Sequence, residues 1–288
     1  MSSLVLGKVR SGVLGNVPTL CAVGVLVLLA VTAVFAPVLA PASPDAQDLL
    51  QRLRPPAWLP GSVPGSLLGT DELGRDVLSR LIYGTRVSLL VALAATVLSG
   101  VAGTALGLIA GYFGGKFDSL LMRLADVQLG IPSLLLALAI IAALGPGLWK
   151  LVVVLGLTGW VAYARVVRAE VLTLRTREFV VAAEAIGVRR PVIMMRHLLP
   201  NVVAPVATIA TLQVATVIIV ESSLSYLGLG VPPSTPTWGS TLAAGQLHLS
   251  TAWWIAVFPG LAIMVTTISI NLVGDLLRDV SDPKTYLS

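Results

Sequence analysis

The chain has 288 residues, of which 56% are hydrophobic and only 11% charged, and its mean hydropathy is +0.92. Soluble globular proteins carry about 45–50% apolar and about 25% charged residues, so this composition excludes a soluble enzyme, a disordered chain and a fibrous protein. The formal charge of +5 sits on basic residues beside apolar runs, which points to orientation in a membrane rather than to nucleic-acid binding.

A spanning helix needs about 20 apolar residues, and the spacing of uncharged runs predicts an all-α integral membrane protein with six transmembrane helices. After a segment 1–19 bearing Lys8 and Arg10, the first run extends from Leu20 to Ala40. A secretory signal starts the same way, but its apolar stretch is about 7–15 residues and ends at a small-residue cleavage site. Here the run is longer and Pro41 follows Ala40, so it is read as an uncleaved span. Cys21, the only cysteine, lies inside it, so no intrachain disulfide can form.

Residues 41–86 contain Pro41, Pro44, Pro55, Pro56, Pro60 and Pro64 among charges of both signs. They predict an extracytoplasmic loop with an amphipathic segment, and no spanning helix before its end. The second span is expected from Val87 to Gly115. Its Gly103, Gly107 and Gly111 share one helix face, for close helix packing or, as the alternative, for lining a pore. Lys116, Asp118 and Arg123 read as a short polar hinge. A third run, Val127 to Trp149, approaches its end at the turn Gly145-Pro146-Gly147. The fourth, Leu151 to Ala164, is short for a span unless Arg165 and Arg168 snorkel at its far end. Leu198 to Val220 makes the fifth, a Gly/Pro-rich loop from Gly228 to Gly239 follows, and Ala252 to Gly274 makes the sixth.

Six spans put both termini on one side. With both in the cytoplasm, most of the 19 Lys and Arg fall inside, as the positive-inside rule favours. The exceptions are Arg52, Arg54, Arg75, Arg80, Arg86 and Lys150. Between spans four and five lies an inner stretch of mixed helix formers. Glu178 to Ile186 predicts one short helix, with Gly187 suited to cap its C-terminus. Pro191 suits the first turn of a second, running to Leu199, before Pro200-Asn201 opens span five. The result is a compact knob with apolar Val181, Ala182, Ile186, Met194 and Met195. It is either an interfacial hairpin lying on lipid or a docking point for a cytoplasmic partner.

The stretch Val181-Ala182-Ala183-Glu184-Ala185-Ile186-Gly187, followed by Leu199-Pro200, resembles the "EAA" loop of ATP-binding-cassette (ABC) importer permeases. Glutamate usually leads that motif where Val181 stands, and a cap-forming or acidic residue usually occupies the place of Arg189-Arg190. Further segments resemble the dipeptide/oligopeptide/nickel (DppC/OppC-type) branch. They are Gly69-Thr70-Asp71-Glu72-Leu73-Gly74-Arg75-Asp76-Val77-Leu78-Ser79-Arg80 and Gly84-Thr85-Arg86-Val87-Ser88-Leu89 before span two, and Glu221-Ser222-Ser223-Leu224-Ser225-Tyr226-Leu227-Gly228-Leu229-Gly230-Val231-Pro232-Pro233 at the end of span five. Thr237-Trp238-Gly239, Asn271 to Asp279 and Asp282-Pro283 complete the set.

The resemblance implies a type I ABC importer permease fold, with a core over 87–288 and a cytoplasmic coupling loop at 166–200. It implies a non-catalytic subunit of the bacterial inner membrane that moves peptides between itself and a homologous DppB/OppB-type permease. Two ATPase subunits or domains would use ATP and Mg, no cofactor would bind this chain directly, and an extracytoplasmic binding protein would deliver cargo. Val181, Ala182, Ala183, Glu184, Gly187, Arg189, Arg190, Leu199 and Pro200 would form the ATPase-coupling site. Nickel or another small solute is the alternative cargo within the same family.

Asp71, Arg75 and Asp76 fall within one or two turns and could pair locally to stiffen the outer segment; with Gly74 they are candidates for an outer gate or receptor contact, the other reading being a solvated charged helix. Glu221 follows a long uncharged run, so it is a candidate for the substrate path or for a carboxylate capped by Ser222, Ser223 or Ser225. Trp238, Trp253 and Trp254 fit an interfacial aromatic belt. Ala110 to Phe117 is the nearest approach to a phosphate-binding loop and lacks its first glycine and its Ser/Thr. His197 and His248 predict no metal cluster. An intramembrane hydrolase built on a serine and one of these histidines, or a self-contained secondary transporter, explains less of the sequence.

Overall fold

The computed structural model describes residues 17–232 and 234–281, and the statements below concern these. The expectations for Lys8, Arg10, Pro233 and Asp282-Pro283 fall outside them. Among the described residues there is no strand, only an isolated bridge between Thr70 and Asp76. Helix α1 (Val17–Val34) is followed by the short α2 (Ala36–Leu39). Residues 41–76 then run as loop and turn, with one 3-10 turn at Leu49–Gln51.

Helix α3 (Val77–Phe113) begins at Val77 rather than at Val87. Asp76 caps it, accepting from the Ser79 backbone N–H at 2.7 Å, so the first turn has the negative partner its orphan donors favour. At about 1.5 Å per residue, its 37 residues reach about 55 Å, well past a hydrocarbon core of about 30 Å. The charged first turns therefore extend beyond the apolar slab, and the sequence pattern hid them.

The expected third span is broken. Helices α4 (Gly115–Leu129) and α5 (Ser133–Leu144) meet at a 90° bend over Gly130-Ile131-Pro132, where Pro132 supplies no N–H and disfavours helix at Ile131. Lys116, Asp118 and Arg123 are not a hinge but lie within α4. The chain turns just before them, at Gly114 and Gly115, with φ of +64° and +65°. Helix α6 (Leu148–Leu174) is far longer than the expected fourth span. Arg165 and Arg168 lie inside it and pair with Asp126 and Asp118 of α4 instead of snorkelling from its end.

Helix α7 (Glu178–Ala185) and the single turn α8 (Arg190–Ile193) form the expected knob. The second helix does not run to Leu199 as a separate piece. It passes through a π turn (Met194–Leu198) directly into α9 (Leu199–Tyr226). Helices α10 (Trp238–Gly245) and α11 (Trp254–Ser281) complete the described residues. Five helices are long and apolar enough to cross a membrane, or six when α4 and α5 are taken as one span.

The bundle is built around the pair α3 and α6, its most extensive helix contact. Gly103, Gly107 and Gly111 face α6 rather than a pore. A Cβ at 103 would stand 2.4 Å from Trp160 O, and one at 107 would stand 2.6 Å from Ala164 O. Val91, Ala92 and Ala95 of α3, Leu151 and Leu155 of α6 and Ile218 of α9 close the main core. Trp238 and Trp254 are not an interfacial belt, being 1% and 4% exposed. Trp238 donates its indole N–H to Leu81 O at 3.3 Å, and Trp254 donates to Thr70 O at 3.1 Å. Only Trp253 of that trio stands at the surface.

Candidate functional site

The knob is held by an apolar root. Val180 and Ala183 of α7, Ile193 of α8 and Leu198 of the π turn pack with Leu108 of α3 and with Val167 and Val171 of α6. Ala183 is therefore directed inward, while Val181, Ala182, Glu184, Gly187, Arg189, Arg190 and Pro200 are exposed and Leu199 is half-buried. Ile186 is 80% exposed and Val181 52%, which leaves an apolar tip flanked by two arginines. The turn depends on Gly187, whose φ of +78° suits a residue without Cβ. Its N–H donates to Glu184 O at 3.0 Å, and Val188 N–H donates to Ala183 O at 3.0 Å.

Two contacts missed in the sequence tie this tip to the bundle, and a third joins the end of α6 to α3 beneath it. The Tyr112 hydroxyl donates to Glu184 Oε1 at 2.8 Å. Arg190 lies over the Phe113 ring at 5.8 Å, and Arg175 donates to Gly111 O at 3.3 Å. Glu184 is thus committed to the end of α3, and the knob is braced by α3, α6 and α9 together. Partners separated by tens of residues in the sequence carry no periodic signal, so only the fold brings Tyr112 to Glu184. His197 lies beside Phe179 in the same region.

The second cluster sits at the opposite end and is not a solvated helix. Asp71 is fully buried in the loop, and Arg75 and Asp76 are each 7% exposed. Arg75 Nε donates to Asp71 Oδ2 at 2.6 Å, and Arg80 Nε stands 3.8 Å from the same oxygen. Asp71 Oδ1 also accepts from the backbone N–H of Leu73 and of Arg75, each at 2.9 Å. Gly74 turns the chain at φ +72°, where a Cβ would stand 1.8 Å from Asp48 O. This compact ionic knot pins the loop to α3. Arg80, read from the sequence as an outer-side charge at the end of the Gly69–Arg80 motif, is buried at its edge. Glu72 reaches His248 at 3.3 Å.

Glu221 is fully buried, so it offers no surface to cargo in this conformation. Ser225 Oγ donates to its Oε1 at 2.8 Å, and Ser88 and Ser222 each donate to its Oε2 at 3.3 Å. Ser223, the other expected cap, bonds Ile219 O instead. Ser88 Oγ in turn accepts from the Trp238 N–H at 3.4 Å. The carboxylate thus locks α3, α9 and the start of α10 together. In the sequence Ser88 stood only within the Gly84–Leu89 resemblance, with no role assigned to it.

An all-helical bundle of spanning length, carrying a braced two-helix knob between two of its helices, is the architecture of a multi-pass membrane protein. Residues 103–286 match the family described as binding-protein-dependent transport system inner membrane component. Residues 16–56 match the N-terminal TM domain of oligopeptide transport permease C. The chain is 45% identical over 259 residues, 90% of its length and 86% of the relative's, to the di/tripeptide transport system permease protein DppC of Pseudomonas aeruginosa. It is 36% identical over 263 residues, 90% of its length and 83% of the relative's, to the oligopeptide transport system permease protein OppC of Bacillus subtilis. A solved inward-facing structure of the MetNI methionine ABC transporter shares the fold. Its TM-score is 0.55 at 18% identity, over 72% of this chain and 97% of that one. The chain belongs to the binding-protein-dependent transport system inner membrane component family, and it is a permease subunit.

Proposed function

We infer that this permease subunit serves an ATP-driven importer of peptides. The observation that carries the reading is the braced knob, exposed at its tip and continuous through α6 and α9 with the membrane core. It has the form of a lever, able to pass a push at Val181, Ile186 and Arg189-Arg190 into the helices that would line a path. The names of the relatives from Pseudomonas aeruginosa and Bacillus subtilis support peptide cargo.

In this reading two ATPase subunits or domains seat the knob and hold the ATP and Mg, while this chain binds no cofactor itself. A homologous DppB/OppB-type permease supplies the other half of the path, and an extracytoplasmic binding protein delivers peptide at the Asp71 end. The knob and both termini then face the cytoplasm, as the distribution of Lys and Arg favours.

Replacing Gly187 tests the lever. Gly187→Pro forces φ from +78° to about −65° and removes the N–H that closes the turn. The complex, reconstituted in vesicles, is expected to hydrolyse ATP with little peptide uptake. Uptake at the normal rate by an intact complex would overturn the assignment.

A further inference from the structure

The helices of the core meet at mid-span around a small cavity of about 40 Å³, room for a single amide group or a few waters. Ser133 at the start of α5, Thr158 and Gly159 of α6, and Gln213 and Thr216 of α9 line one side of it, and Leu155, Val217 and Val220 the apolar remainder. No Asp, Glu, Lys or Arg lines it. Gln213 stands midway along α9, and Thr158 and Gly159 stand near the middle of α6, so the polar groups share one depth.

Two of these polar groups are unspent. The half-buried Gln213 carboxamide and the exposed Ser133 hydroxyl make no hydrogen bond among the described residues. By contrast, the Thr158 and Thr216 hydroxyls donate to carbonyls of their own helices, at 3.1 and 3.0 Å, and keep acceptor capacity toward the cavity. The neighbouring Gln128 is fully engaged in holding α4 to α6: it donates to Thr158 O at 2.6 Å and accepts from the Trp160 indole at 2.8 Å. Gly159 keeps the space open, since a Cβ there would stand 2.6 Å from Gln213 Nε2 and 2.5 Å from Ser99 Oγ. A half-buried carboxamide at the depth of the hydrocarbon core gains from any partner that reaches it.

We propose that this notch is where the subunit contacts the main chain of a passing peptide, with Gln213 and Ser133 exchanging hydrogen bonds with its amide groups. The proposal rests on the peptide-importer reading above. Neutral donors and acceptors suit a peptide's C=O and N–H, which every sequence shares, and a single weak station lets cargo leave as readily as it enters. The notch therefore discriminates little between side chains.

The test uses the assembled importer in vesicles with radiolabelled dialanine. Gln213→Leu is expected to lower peptide moved per ATP hydrolysed about three- to tenfold, the size of one neutral hydrogen bond, and Gln213→Asn to restore most of it. A second measurement uses the double variant Cys21→Ser, Gln213→Cys, in which the introduced thiol is the only one in the chain because Cys21 is the sole native cysteine. Dialanine supplied during ATP-driven turnover is expected to slow labelling of that thiol by a maleimide. Normal transport by Gln213→Leu, or labelling that dialanine does not slow, would refute the notch alone. Failure of the unaltered complex to move any dialanine would instead refute the peptide-importer reading on which it rests.

Discussion

Replacing Gly103 by Ala adds one methyl group to the α3–α6 seam, and the structure states what that group would meet. Its Cβ would lie 2.4 Å from Trp160 O, 2.6 Å from Tyr163 Cβ and 3.2 Å from Ala164 N. Carbon contacts are optimal near 3.5–4.0 Å, so the helices must part by about 1 Å, a gap that forfeits about a quarter to a half of each neighbouring dispersion contact. The obstructing atoms include main-chain atoms of α6, which cannot rotate aside. Overpacking of this kind costs about 1–3 kcal/mol, partly offset by the roughly 1 kcal/mol that Ala gains over Gly in a helix.

A net loss of up to about 2 kcal/mol is expected for Gly103→Ala, and a further loss, less than double, when Gly107→Ala is added, because both sites part the same two helices. Gly100 provides the control, because a Cβ there would stand 3.5 Å from Tyr163 Cε1 and no closer to anything else. Gly100→Ala is expected to be neutral or slightly stabilising. Unfolding of the purified subunit in detergent, followed by tryptophan fluorescence, reads the difference at roughly 2–4 °C per kcal/mol. If Gly103→Ala and Gly100→Ala melt together, the close-packing argument for this seam is wrong.

Asp71→Asn removes the charge that balances Arg75 and Arg80, both nearly buried, and breaking such a pair costs about 3–5 kcal/mol. Limited proteolysis is expected to cut residues 41–76 much faster in that variant, and unchanged resistance would refute the ionic knot. Glu221→Leu strips the acceptor from Ser88, Ser222 and Ser225 and is expected to lower stability by about 1–3 kcal/mol. Glu221→Gln keeps an acceptor and is expected to lose less, so equal melting of the two variants would count against the lock. Tyr112→Phe removes the bond to Glu184 between groups open to solvent, so global stability is expected to change by under about 1 kcal/mol. Amide exchange over 178–188 is nonetheless expected to quicken, and identical exchange would show that the brace is idle.

Composition and the spacing of uncharged runs were enough to identify a membrane protein with a knob between its fourth and fifth spans, because burial in lipid demands long apolar helices and the knob interrupts them. Gly187 was legible as a turn because glycine tolerates the φ of +78° that the structure adopts. The short motifs around Gly69–Asp76, Val181–Gly187 and Glu221–Gly228 were enough to carry the family resemblance.

Tertiary structure decided what the charges and aromatic residues do. Arg80 and Asp71 look like surface charges in a proline-rich loop, yet each makes the other's burial tolerable across a turn. Arg165 and Arg168 look like residues at a span's end, yet carboxylates of α4 let α6 continue past them. Trp238 looks like a belt residue until α3 supplies the Leu81 carbonyl and the space over Gly84. Periodicity reports which face of one helix is apolar, but not which distant group will neutralise a charge or accept a proton. Those pairings exist only once the helices are packed.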